Sequence, residues 1–362
     1  MSDFAGKRIL IIILSGGIGD VLLSTVVLKP LKDYYPDSSI TMMIKTGMEE
    51  LIDDNEYVTE ILSVKDGNLK GKNFDEWLDK IKERHFDIAI VLWSRAEEAY
   101  LIYRAGIPVR VGQSSRIFYS FLYTNKVSVR TEKGDTVTHW TDIMLDYVRA
   151  LDIPVSKAEV IFRFPTDDLF YDMKMLLNHY AGEKKGPFWG LQVCKGLKTD
   201  IEKWPVAYFA KLGDTIVEEL GGTVVLTGSA SEVPIVEKVS SLMNKPNINF
   251  AGKTNINELA ALITCLRGFI APDTGTGHIS AVLGVPTVSI FALKSDFPNR
   301  WKPFGPKVAF VVPKSYICNQ KKCIKEKCPR FTCYNGIDPK YVVSKLAGLC
   351  SMLKDSSVYD LH

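Results

Sequence analysis

Short apolar runs alternate with longer segments of helical periodicity along most of the chain, and the alternation begins a second time near residue 188. In the first series, residues 8–14, 39–44 and 86–92 read as strands, and 20–35, 74–84 and 96–105 as helices, the last stopped by Gly106 and Pro108. The second series places strands at 188–193, 223–227, 248–250, 268–271 and 287–291. Helices fall between them at 205–220, 231–243, 256–266 and 277–283. Strands apolar along their whole length are buried on both faces, as in a parallel sheet covered by helices. The Gly-Glu-Lys-Lys-Gly-Pro run at 182–187 is rich in turn-forming and charged residues and reads as a linker. The expectation is an α/β chain of two tandem Rossmann-like doubly wound domains, 1–181 and 182–362, facing a central cleft where such sheets bind ligands.

Composition removes several classes. With 46% hydrophobic and 24% charged residues, the chain is neither disordered nor collagenous. Its longest apolar run near the N-terminus, 9–14, breaks at Ser15-Gly16-Gly17, too short for a leader or a span, so a cytoplasmic location is expected. Residues 1–180 hold 22 Lys/Arg against 27 Asp/Glu, net −5, whereas 181–362 hold 23 against 15, net +8. This asymmetry assigns an anionic ligand mainly to the second half. No helix-turn-helix, finger or aromatic RNA-binding signature accompanies the charge, and nucleic acid is not an expected partner.

Two glycine-rich turns carry the chemistry. Ser15-Gly16-Gly17-Ile18-Gly19-Asp20 follows the first strand and opens a helix, where backbone N–H groups face a ligand. The third glycine of a dinucleotide fingerprint is replaced by Leu22, and the second strand ends Ile44-Lys45 without the acidic residue that holds a ribose. Asp20 is then open to two readings, a general base at the cleft or a helix N-cap. The second turn, Pro272-Asp273-Thr274-Gly275-Thr276-Gly277-His278, combines N–H donors, two hydroxyls and a helix dipole, an anion seat to which His278 adds a donor. A capped helix with a histidine on its first turn is the plainer alternative. Lys203, before Pro205 fixes a helix start, can point a cation at the same anion; Trp204 reads as packing. No Asp-x-Asp pair and no G-x-x-x-x-G-K-[ST] occur, which leaves a departing phosphate to be stabilised by protein groups.

These elements recur in a familiar order: Gly17-Ile18-Gly19-Asp20, Lys203-Trp204-Pro205, Thr227-Gly228-Ser229 with Glu232, Pro272-Asp273-Thr274-Gly275 with His278, then Leu283-Gly284-Val285-Pro286 and Trp301-x-Pro303-x-Gly305. Over essentially the whole chain the sequence resembles the heptosyltransferase family, glycosyltransferase family 9, of lipopolysaccharide core synthesis. The resemblance implies a B-type glycosyltransferase fold. It also implies an ADP-heptose donor, no further cofactor, and inverting transfer to a lipid-linked oligosaccharide at the cytoplasmic face of the inner membrane. Carried over by position, Asp20 is the base; Lys203, Thr274 and Gly275 meet the pyrophosphate; Glu232 and Asp273 lie near ribose or sugar hydroxyls, with His278 behind them, and Thr227 belongs to the same nucleotide-sugar site. The chain departs from the family at Phe291-Ala292-Leu293-Lys294 and Cys194-Lys195-Gly196, both on donor-side loops. A B-type transferase or epimerase for another nucleotide sugar, or a non-catalytic binding module, is the alternative.

On the acceptor side, Gly17, Gly19, Arg95 and Arg116 are candidates, with Arg104, Arg110 and Arg130 in the same arginine-bearing stretch. Each arginine taken singly also fits a solvated surface. The aromatic stretch 118–123 reads as a buried strand or helix, membrane contact being the alternative. Cys318, Cys323, Cys328 and Cys333 follow one another at five-residue spacing among lysines, looser than zinc-knuckle pairs, so a structural metal is a minor expectation beside contact with an anionic membrane surface.

Overall fold

The computed structural model describes residues 6–155, 157–183, 186–194, 204–315, 323–324, 328 and 332–351. The chain divides into two units, Met1–Arg163 and Phe164–His362.

The first unit is built on β1 (Arg8–Ile13), β2 (Ser39–Lys45), β3 (Glu60–Val64), β4 (Ile88–Val91), β5 (Val109–Gln113) and β6 (Asn125–Val127), paired throughout in parallel in the order β3-β2-β1-β4-β5-β6. Ile9, Leu10, Ile11 and Ile12 of β1 are inaccessible to solvent on both faces. Each such side chain contributes roughly 1.5–3 kcal/mol of burial, which is why this strand sits at the centre. Helices α1 (Ile18–Ser24), α2 (Leu28–Tyr34), α3 (Lys72–Glu83), α4 (Ala96–Arg104) and α5 (Trp140–Arg149) cover the sheet.

The single helix expected over 20–35 is interrupted by a 3-10 turn at Thr25–Val27. Ser24 and Thr25 hydroxyls donate back to the carbonyls of Val21 (2.6 Å) and Leu22 (2.7 Å), and Pro30 lacks the N–H that a continuous helix would use.

The second unit repeats the design with β7 (Phe188–Gln192), β8 (Thr223–Thr227), β9 (Asn247–Asn249), β10 (Gly268–Pro272), β11 (Thr287–Ile290) and β12 (Val308–Val311), again all parallel, in the order β12-β11-β10-β7-β8-β9. Counted within each unit, both sheets read 3-2-1-4-5-6, the doubly wound order of dinucleotide-binding folds. Helices α6 (Asp167–Ala181), α7 (Val206–Leu220), α8 (Val233–Leu242), α9 (Ile256–Thr264), α10 (Gly275–Val282), α11 (Pro298–Trp301) and α12 (Pro339–Ser351) complete it. α6 packs on α9, and this moves the division of the chain to Arg163/Phe164 from the 181/182 linker that composition marks.

In the first unit Arg130 and Arg149 close a ring of ion pairs with Asp142 (2.7 Å to each) and Asp146 (2.8 Å to each). Burial pushes the Asp142 carboxyl up, but the hydrogen bonds from Arg149 and Arg130 outweigh it and hold the group below the ordinary carboxylate range. A depressed folded-state value stabilises the protein above the unfolded-state value and is lost as the pH falls through the folded one. Asp142→Asn is therefore expected to cost about 1 kcal/mol or less at neutral pH, since the ring is partly solvated. It should also flatten the decline in melting temperature below about pH 4. Parallel acid profiles for variant and wild type, followed by thermal unfolding, would contradict this.

Candidate functional site

In a doubly wound sheet the crevice opens beside the carboxyl ends of the two central strands, where the connections diverge to opposite faces. In the first unit those strands are β1 and β4, and the turns that leave them touch: the Ser15 hydroxyl donates to the carbonyl of Trp93 (3.3 Å). Gly16 has φ +95°, and a Cβ there would run into the Asp20 side chain, so the chain can fold the carboxylate back over the turn only with glycine at this position. One oxygen of Asp20 accepts the Gly17 N–H at 2.9 Å. Asp20 is thus the third residue of α1, half-buried, tethering the cap residue Gly17 instead of being the cap itself. Gly19 lies on the first turn of the same helix.

The arginines near this crevice are mostly engaged. Arg95 grips Glu98 through Nε (2.9 Å) and Nη2 (2.7 Å) and donates to the Gly67 carbonyl (2.8 Å). Glu98 is 1% exposed, and burial raises its carboxyl despite Arg95. Arg116 lies over the Trp93 ring (5.5 Å) and 3.5 Å from Glu132. Arg130 belongs to the ion-pair ring described above, which leaves it a structural part.

In the second unit the central strands are β7 and β10. Thr274 caps α10 in an extended conformation (φ −143°, ψ 159°), so the N–H groups of Gly275, Thr276 and Gly277 have no acceptor within the helix. The Thr274 and Thr276 hydroxyls are 2.9 Å apart beside them. Asp273 precedes this cap, and His278, 3% exposed, turns inward from the first turn of α10. The free N–H groups and the two hydroxyls can together hold an anion at the end of a helix dipole.

The Trp301-x-Pro303-x-Gly305 element explains how α10 is held. A Cβ at Gly277 would lie 3.9 Å from Pro303, and one at Gly305 would overlap the carbonyl of Ala281. The segment therefore lies against the helix at both positions.

Beside it, β7 ends in Gln192, a buried amide that the strand's apolar pattern does not advertise. Gln192 accepts from the Thr227 hydroxyl (2.8 Å) and reaches Glu232 (3.5 Å). Glu232 in turn accepts from the Ser229 N–H (2.7 Å) and hydroxyl (3.0 Å). Burial pushes the Cys194 thiol up, with the Glu232 charge adding to it, so Cys194 stays protonated. Tyr334 is also absent from the sequence argument. It sits fully buried among Trp204, Tyr208 and Phe209, and burial with the nearby Asp296 and Asp273 carboxylates keeps its phenol protonated. Trp204 donates to the Val193 carbonyl (3.1 Å) and stacks on Phe209, a packing residue.

The structure brings Asp273, Thr274, Gly275 and His278 together, and separately joins Thr227 to Glu232 through Gln192. Lys203 and Cys318 lie outside the described residues. Cys323, Cys328 and Cys333 pack on the second unit's core, and among the described residues no three potential ligands form a metal-binding cluster. No helix among them is long and apolar enough to cross a membrane.

Comparison with known proteins gives a consistent set of matches. The sequence model described as glycosyltransferase family 9 (heptosyltransferase) matches residues 77–331. The lipooligosaccharide heptosyltransferase 2 of Haemophilus influenzae is 24% identical over 312 residues, covering 81% of this chain and 85% of that protein. A glycosyl transferase family 9 structure from Veillonella parvula superposes with a TM-score of 0.80 at 22% identity, covering 97% of this chain and 99% of that one. The structure of E. coli ADP-heptose lps heptosyltransferase II gives 0.75 at 19% identity, covering 96% and 100%.

Proposed function

The chain belongs to glycosyltransferase family 9, and from that membership we propose that it moves heptose from ADP-heptose onto the lipopolysaccharide inner core, with inversion at the anomeric carbon. The observation that carries the reading further is the placement of the two glycine-rich turns. Each flanks the central strands of its own sheet, one bearing a carboxylate and the other a ring of N–H and hydroxyl donors.

In this reading Asp20 takes the proton from the acceptor hydroxyl as its oxygen attacks the anomeric carbon, while the bond from that carbon to ADP breaks. The charge that develops on the departing diphosphate is met by the first N–H groups of α10, the Thr274 and Thr276 hydroxyls and the Lys203 ammonium. Asp273 and the Thr227, Gln192 and Glu232 group supply carboxylate and amide partners for ribose or sugar hydroxyls, and His278 supports the turn from behind. Domain roles follow: the first unit carries the acceptor and base, with Gly17, Gly19, Arg95 and Arg116 at its crevice, and the second carries the donor. The acceptor is lipid-linked, so the enzyme works at the cytoplasmic face of the inner membrane.

A melting-temperature panel with ADP-, UDP- and GDP-sugars tests the donor, because a ligand that binds only the native state adds about 2.7 kcal/mol at a hundredfold excess over its dissociation constant. ADP-heptose is expected to raise the transition and the others to leave it in place. Mass analysis of a heptose-deficient core acceptor should then show one added heptose. A shift with a UDP- or GDP-sugar alone would overturn the donor assignment.

A further inference from the structure

We propose that the segment between β5 and β6 docks the protein on an anionic phospholipid bilayer by inserting Ile117, Phe118 and Phe121. The sequence pattern favours burial of 118–123, and the structure divides that stretch in two. Leu122 and Tyr123 are buried, whereas Ile117, Phe118 and Phe121 are 83%, 91% and 69% exposed. These three side chains stand on a fixed base. The Tyr119 hydroxyl donates to the Ser94 carbonyl (2.8 Å), and the Arg110 Nε donates to the Leu122 carbonyl (2.7 Å). A tip anchored from below while its largest apolar groups face water is a contact surface, since folding gains nothing from displaying them.

The rim of the tip says what it contacts. Helix α4 packs against this segment and presents Tyr100 and Tyr103, each close to half exposed. Arg104 lies over the Tyr100 ring (5.5 Å) and Arg110 over the Tyr103 ring (5.7 Å), and among the described residues neither arginine forms an ion pair. Aliphatic and phenylalanine side chains at the tip, with tyrosines and guanidinium groups that carry no ion pair among the described residues on the adjoining helix and strand, are the residue classes a bilayer interface takes up in its acyl, carbonyl and phosphate layers.

The location gives the contact its purpose. The segment leaves the carboxyl end of β5, the edge of the parallel sheet that also carries the turns after β1 and β4. It is bonded to Ser94 of the second turn, whose Trp93 carbonyl holds Ser15 of the first. Membrane contact would therefore bring the Asp20 turn to a lipid-linked sugar; this last link rests on the transferase reading, whereas the docking itself does not.

The test is co-sedimentation of the full chain with vesicles of phosphatidylethanolamine containing roughly 30 mol% phosphatidylglycerol, without donor or acceptor. Wild type is expected to partition onto them and to bind phosphatidylcholine vesicles weakly. Phe118→Ser with Phe121→Ser should lower the partition coefficient by about tenfold or more, with an unchanged melting temperature because both rings are exposed. Arg104→Glu should lower it severalfold and weaken its salt dependence. A tryptophan placed by Phe118→Trp should shift to the blue and be quenched by brominated acyl chains. Equal partitioning of wild type and the double variant would overturn the proposal. So would a wild-type dimer that the double variant converts to monomer while neither binds vesicles, which would make the tip a self-association surface. Because the assay uses no sugar substrate, failure of the heptose assignment leaves its outcome unaffected.

Discussion

Asp20→Asn is expected to reduce turnover by about 10²–10⁴-fold while leaving the affinity for the ADP-sugar close to wild type. The substitution is chosen for what it preserves. Asparagine keeps an oxygen able to accept the Gly17 N–H, the bond that Asp20 makes at 2.9 Å, so the turn and α1 should survive. What is lost, on the proposed role, is the capacity to take a proton from the attacking hydroxyl. Product formation under saturating donor, with calorimetry of ADP on the same preparation, separates the two effects. A rate within a few-fold of wild type, at an unchanged melting temperature, would reduce Asp20 to a helix-tethering residue and send the search for the base elsewhere.

The second large effect is expected from a residue packed against the far end of α10. Gly305→Ala would set a methyl group against the Ala281 carbonyl, which belongs to α10 and cannot rotate away as a side chain would. Overpacking of this kind costs roughly 1–3 kcal/mol. Relief requires α10 or the 301–305 segment to shift. A shifted α10 misaligns the donors at Gly275, Thr276 and Gly277, so ADP affinity should fall by about tenfold or more, the equivalent of one good hydrogen bond to a charged group. Calorimetry of ADP and thermal unfolding check both halves of the expectation; intact ADP binding would mean that the glycine serves packing alone.

The strands that dominate each sheet were legible because their interiors are apolar: 8–13, 88–91 and 223–227 fall within runs that the sequence marks, and 268–272 exceeds its run by one residue. Strand β5 was not, since Arg110 and Gly112 interrupt its pattern and its pairing with β4 and β6 outweighs local propensity. The strand-to-helix turn was readable where several special residues crowd one place, as at 273–278. It stayed open where one residue type has two local roles: Asp20 at the third helical position holds the cap residue's N–H, a geometry composition does not distinguish from capping. Gln192 and Tyr334 escaped because a single amide ending a strand and a tyrosine far down the chain acquire meaning only through neighbours distant in sequence. The 118–123 stretch failed for the opposite reason, because hydrophobicity predicts burial and exposed phenylalanines run against that rule.

The strict separation of the two sheets has a consequence for how the protein is made. Among the described residues every strand of the first lies between Arg8 and Val127, and every strand of the second lies after residue 187, with none exchanged. A ribosome working from the N-terminus therefore delivers all six partners of one sheet before the first strand of the other exists. The nascent first unit can close its core without waiting for distant chain, and every strand edge but the outer ones of β3 and β6 is paired before the second set of apolar strands emerges to compete for it.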